Sequence, residues 1–96
     1  MTIKAVVLNP NDNVAVALTN LEAGTALDLR ASGQVFHVRL EESIPYQHKF
    51  SVTPIGSGCR IIKYGVVIGE ATQDIKQGRH VHIHNMVGLR VKTNNK

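Results

Sequence analysis

The chain is written in short apolar runs, several of which alternate apolar and polar residues. IKAVVL (3–8), NVAVAL (13–18), QVFHVRL (34–40), RIIKYGVVIG (60–69) and HVHIH (80–84) are rich in β-branched residues. Alternation with period two sends successive side chains to opposite faces of a sheet. Gly24, Gly33, Gly56, Gly58, Gly65, Gly69 and Gly78 punctuate these runs as turn signals. No segment sustains a helical apolar period, and only residues 71–75 read as a helical fragment. The pattern predicts an all-β fold of short strands and glycine turns.

A weak repeat sharpens this reading. LEAGTAL (21–27), IGSGCRI (55–61) and IKQGRHV (75–81) share an aliphatic residue, two others, Gly, two others and a second aliphatic. The first aliphatic is expected to plug the core, and Gly supplies the positive φ of a tight turn. The second aliphatic opens a strand. Unequal intervals between the units argue against a solenoid.

Composition narrows the class. With 96 residues, 43% of them hydrophobic, the chain reads as one domain, 1–96, with a single modest core. Aromatics are few (Phe36, Tyr46, Phe50 and Tyr64), so aliphatic side chains must build that core. So small a domain has little room for an enclosed active site, which favours a binding module or a subunit that completes a site elsewhere. Cys59 stands alone, which rules out an intrachain disulfide and suggests a reducing compartment. MTIKAVVLNP lacks the signal-peptide pattern, and no apolar run reaches the ~20 residues of a membrane span. A soluble, cytoplasmic protein is expected. The net charge of +4 is spread along the chain, apart from Arg90, Lys92 and Lys96 in a tail that reads as a solvated end. No aromatic-plus-basic platform accompanies it, which argues against nucleic acid as a partner.

Candidate chemistry centres on HVHIH. On a strand, His80, His82 and His84 would share a face about 6.6 Å apart, with Val81 and Ile83 turned into the core. Alternate imidazoles can converge on a divalent cation such as iron, manganese or zinc. They can equally form a solvated polar face, and spacing alone leaves both readings open. His48 and Lys49 in PYQHKFSV, Lys63 and Tyr64 in RIIKYGVVIG, and the Asn11–Asp12–Asn13 turn are further candidates. Each has an ordinary reading too: an exposed basic pair, an outward lysine, an Asx turn. His37, between Phe36 and Val38, reads as structural or exposed.

Taken in order, NDNVAVAL, QHKFSVTPI and KYGVVIGEATQDIKQGRHVHIHN (63–85) resemble one family. It is the N-terminal domain, or separate small subunit, of altronate and galactarate dehydratases, with sulfolactate sulfo-lyase as a relative. The resemblance runs over about residues 13–85 and implies a small β-clip domain of the SAF type. It implies a small subunit of a metal-dependent sugar-acid dehydratase, a lyase inactive without a large catalytic subunit. Such an enzyme eliminates water to leave a 2-keto-3-deoxy acid, and the sulfo-lyase expels sulfite in the same way. The cofactor implied is a divalent metal, Fe2+ or Mn2+. Carried over by position, the catalytic residues are His48, Lys49, Lys63, His82 and His84. Asn13, Lys49 and Lys63 would bind substrate, and His82 and His84 would be metal ligands or acid–base groups, with His80 peripheral. The chemistry suits these residue types: a cation stabilises the enediolate, and imidazole moves protons near neutral pH. Alternatives are a sulfolactate sulfo-lyase small subunit, or a standalone module that binds carbohydrate or protein without chemistry. An isolated small subunit is also expected to self-associate through exposed apolar surface.

Overall fold

The computed structural model describes residues 3–88. The basic tail at Arg90, Lys92 and Lys96 lies outside the described residues. Among the described residues, nine short strands form three antiparallel sheets: β1 (Ala5–Val6), β2 (Val14–Ala17), β3 (Ala26–Ala31), β4 (Gln34–Arg39), β5 (Lys49–Ser51), β6 (Arg60–Lys63), β7 (Val66–Ala71), β8 (His80–Val81) and β9 (Met86–Gly88). The sheet orders are β1-β2-β5-β8, β3-β4 and β6-β7-β9. No helix occurs among the described residues, so the helical fragment expected at 71–75 is instead a bend leading into a bridge at Ile75. The all-β expectation holds.

The repeat is the framework, and it has four copies rather than three. Leu21, Ile44, Ile55 and Ile75 each plug the core, and they bridge in pairs, Leu21 to Ile44 and Ile55 to Ile75. After each plug the chain makes the same turn. Its closing hydrogen bonds are Thr25 N to Glu22 O, His48 N to Pro45 O, Cys59 N to Gly56 O and Arg79 N to Lys76 O. The third turn residue has positive φ in every copy: Gly24 (89°), Gln47 (71°), Gly58 (83°) and Gly78 (87°). That is the type II geometry. The same residue then donates its N–H across to a neighbouring segment, to Leu40, Ala17, Ala71 and Ser51 carbonyls respectively. Ile44-Pro-Tyr-Gln-His-Lys-Phe50 escapes the sequence pattern because Gln47 stands where the other copies have Gly.

Two hairpins complete the fold. RIIKYGVVIG is not one strand but β6 and β7, folded back at Tyr64 and Gly65. Both loop residues have positive φ (55° and 79°), as do Ser32 and Gly33 between β3 and β4, the type I′ solution that matches strand twist. Asp12, only 2% exposed, accepts hydrogen bonds from Leu8 and Asn9 through Oδ2 and from Gly65 N through Oδ1 at 2.7 Å. One carboxylate thus pins the tip of the β6–β7 hairpin to the chain's first turn. Apolar side chains gather in two clusters. One lies under β1–β5 around Ile44 and Phe50, and the other holds Val14, Ile55, Ile61, Ala71, Ile75 and Val81.

The four turns differ in how much room they leave, which makes them testable. A Cβ at Gly58 meets nothing, whereas one at Gly78 runs into the Arg39 carbonyl and lies 3.3 Å from Glu41 N. Gly58→Ala is expected to cost about 1–2 kcal/mol, the left-handed backbone penalty. Gly78→Ala is expected to cost about 1–3 kcal/mol more through overpacking. Urea unfolding midpoints of the two variants check the ranking.

Candidate functional site

The HVHIH segment does not remain a strand. β8 ends at Val81, and Asn85 is the reason. Its Oδ1 accepts from His82 N at 2.9 Å, its Nδ2 donates to His80 O at 2.8 Å, and its own N–H donates to His82 O. A side chain that satisfies the backbone locally replaces the ladder bonds a longer strand would need. The expectation that Ile83 faces the core is therefore overturned: Ile83 stands at the turn, 84% exposed, while Val81 is fully buried.

The imidazoles nevertheless come together, because the second turn delivers His48 to the same place. Phe50 is the cross-strand partner of His80 between β5 and β8, and His48 lies just ahead of β5. His48 Nδ1 and His80 Nε2 are 2.8 Å apart. The His82 ring stacks on His48 at 4.5 Å between centroids and 11° between planes. His80 contacts all three others, with centroid distances of 5.0 Å to His48 and 5.4 Å to both His82 and His84. Glu42 Oε2 accepts from His80 N at 3.0 Å, fixing the backbone beneath the hub.

Two lysines add positive charge. Lys49, half-buried in the central strand β5, has its pKa pushed down by burial and then by the Lys63 ammonium. Lys63 sits at the end of β6 with its Nζ 5.2 Å from the Tyr64 ring centre. His82 is pushed below the ordinary imidazole value by desolvation, then by His48, Lys49 and His84. His80 moves the same way through burial and then the other histidines, with Glu42 opposing. Of the expected site residues, His48, His82 and His84 meet through the ring cluster, the Lys49 charge acts on His82, and the Lys63 charge acts on Lys49. Asn13 is engaged otherwise: its Oδ1 accepts from Ile62 N and its Nδ2 donates to Arg60 O, both at 2.8 Å, stitching β2 to β6. His37 stands on β4, its Nδ1 2.7 Å from Asp28 Oδ1 on β3. Beside the cluster opens a cleft of about 360 Å³ whose walls include Glu42, Lys76, Arg79 and His84. Arg79 is held there by Glu41 at 3.1 Å. Most of the cleft lining comes from the single segment 73–85, to which the fold adds Glu42 from a distant part of the chain.

The donor chemistry suits a transition metal, but the geometry in this chain does not close a site. Among the described residues, no three His, Cys, Asp or Glu side chains form a metal-holding group. Stacked rings present faces to one another, whereas ligands must turn their nitrogen lone pairs to one point about 2.1 Å away.

An all-β domain built on four plugged turns, with imidazoles gathered near two lysines, is consistent with a SAF domain. The chain belongs to the altronate/galactarate dehydratase SAF domain family, which matches residues 3–89. It is 46% identical to altronate dehydratase of Escherichia coli (strain K12) over 74 residues, covering 77% of this chain but 14% of that enzyme. Altronate dehydratase of Bacillus subtilis (strain 168) is 36% identical over 78 residues, 15% of its length. The (2R)-sulfolactate sulfo-lyase subunit alpha of Chromohalobacter salexigens is 34% identical over 89 residues, which are 90% of this chain and 95% of that subunit. The chain therefore spans about a seventh of the dehydratases it matches, and nearly all of a lyase subunit.

The lowered pKa values of His80 and His82 make stability depend on pH. Below about pH 6.5 the unfolded chain binds protons that these folded imidazoles resist, so stability falls as the solution is acidified. It levels off once pH is below the folded-state values. The unfolding midpoint is expected to drop between pH 7.5 and pH 5, and the double variant His80→Gln/His82→Gln is expected to flatten that slope.

Proposed function

We infer that this chain is the small subunit of a sugar-acid dehydratase of the altronate or galactarate type, a lyase whose active site is completed by a separate large catalytic subunit. The observation that carries this reading is the gathering of His48, His80, His82 and His84 beside Lys49 and Lys63. A cationic group rich in uncharged imidazole suits an anionic substrate whose reaction is proton transfer.

In the elimination, a base removes the proton from the carbon next to the carboxylate. The electron pair of that C–H bond forms the carbon–carbon double bond, and the neighbouring C–O bond breaks. The departing hydroxide takes a proton from an acid and leaves as water, and the enol tautomerises to the 2-keto-3-deoxy acid. His82, held largely neutral near pH 7 by its surroundings, suits the base. His84 and His48 are the acids within reach of the same space. Lys49 and Lys63 hold the substrate carboxylate as point charges and stabilise the enediolate. Asn13 contributes by fixing β6, and so Lys63, to β2. The divalent metal implied by the family resemblance, iron or manganese, is assigned to the assembled enzyme, with most ligands from the large subunit. The working compartment is the cytoplasm.

A second reading has its own support. The length match to a sulfolactate sulfo-lyase subunit is nearly complete, and expulsion of sulfite needs the same base and the same cations. Reconstitution separates the two. The chain alone is expected to be inactive, and addition of the large subunit with iron or manganese should restore turnover on altronate or galactarate. Turnover on sulfolactate instead would transfer the assignment to the sulfo-lyase, and activity on none would reject both. In the active complex, His82→Ala and His84→Ala are each expected to lower kcat by about 10²–10⁴-fold, the contribution of a positioned acid or base. Full turnover in both variants would remove them from the site.

A further inference from the structure

The geometry points to His80 as a positioning residue that fixes the tautomer and ring orientation of His48, so that His48 Nε2 is the nitrogen presented to substrate. This rests on the dehydratase reading for its chemistry, though not for its geometry. His48 is constrained on two sides. Its edge is clamped by the 2.8 Å contact between its Nδ1 and His80 Nε2, and its face is covered by the stacked His82 ring. With Nδ1 occupied, only Nε2 remains to meet a ligand. His80 is itself anchored at both ends of its backbone, by Glu42 Oε2 on its N–H and by Asn85 Nδ2 on its carbonyl. A half-buried ring fixed in this way is a support for another side chain.

Either nitrogen could donate across the 2.8 Å contact, and the acid–base role proposed for His48 selects the direction. If His48 Nδ1–H donates to the His80 Nε2 lone pair, His48 Nε2 can accept a proton and give it up without breaking the clamp. If the bond ran the other way, a proton arriving on His48 would set two N–H groups against each other at 2.8 Å. The first arrangement is the one that survives a catalytic cycle. It also forces His48 into the Nδ1–H tautomer, which free imidazole disfavours, so the assignment has a spectroscopic signature. The nitrogen that carries the proton on a histidine is set by the bond the other nitrogen makes.

Long-range proton–nitrogen NMR of the full chain above neutral pH reads this directly. His48 is expected to be Nδ1–H in the wild type and in His80→Gln, whose amide oxygen can replace the acceptor. It should revert to Nε2–H in His80→Leu. A wild-type His48 in the Nε2–H form would overturn the proposal even if the Leu variant failed to fold, and so would a tautomer unchanged in His80→Leu. In the reconstituted complex, His80→Leu should lower kcat at least about tenfold with little change in KM, while His80→Gln retains most activity. An unchanged kcat in His80→Leu would also reject the positioning role. A wild-type complex without lyase activity would instead refute the dehydratase reading and leave the tautomer result to stand on its own.

Discussion

A backbone N–H that finds its acceptor only when its own residue takes positive φ shapes this chain four times over. At Gly24, Gln47, Gly58 and Gly78 the chain turns, buries the aliphatic residue three places earlier, and bonds to a carbonyl of a neighbouring segment. Each part needs the others: a misplaced turn would leave a polar group unpaired and a plug exposed. Strands of two to six residues are too short to hold themselves together. Their registry comes from these turns, and the position of every candidate site residue follows from it.

Two of the turns make the site. The turn at Gln47 closes on His48 and leads into Lys49, and the turn at Gly78 closes on Arg79 and leads into His80. Antiparallel pairing of β5 with β8 then brings the two ends face to face. Asn85 folds the chain back so that His82 and His84 rejoin the cluster rather than run on along a strand. The result is a set of basic side chains in which burial, and then the neighbouring basic groups, discourage the charged forms of Lys49, His80 and His82. Such a group favours an anion above it. This is the physical link between the fold and the carboxylate substrate proposed for it.

Much of this was legible in the sequence, and the failures have identifiable causes. Alternating β-branched runs and spaced glycines sufficed for the all-β class and for three of the four turns. The fourth was hidden because Gln47 accepts a left-handed backbone that the pattern reserves for Gly. The period-two spacing of His80, His82 and His84 looked like a strand face, but Asn85 competes for the backbone bonds that a strand requires. His48, His82 and His84 were found in the cluster, while His80, read as peripheral, is its hub. Spacing along one segment cannot reveal a contact made with a residue from another turn.

The central claim is that the turn framework gathers the imidazoles in the chain itself, before any partner or substrate is present. Nuclear Overhauser contacts among histidine ring protons in the free protein test it most directly. Strong cross-peaks from His48 to His80 and from His48 to His82, alongside the β5–β8 backbone contacts, are the predicted result. Intact β5–β8 contacts without those ring cross-peaks would contradict it, because the framework would then be formed and the site would not.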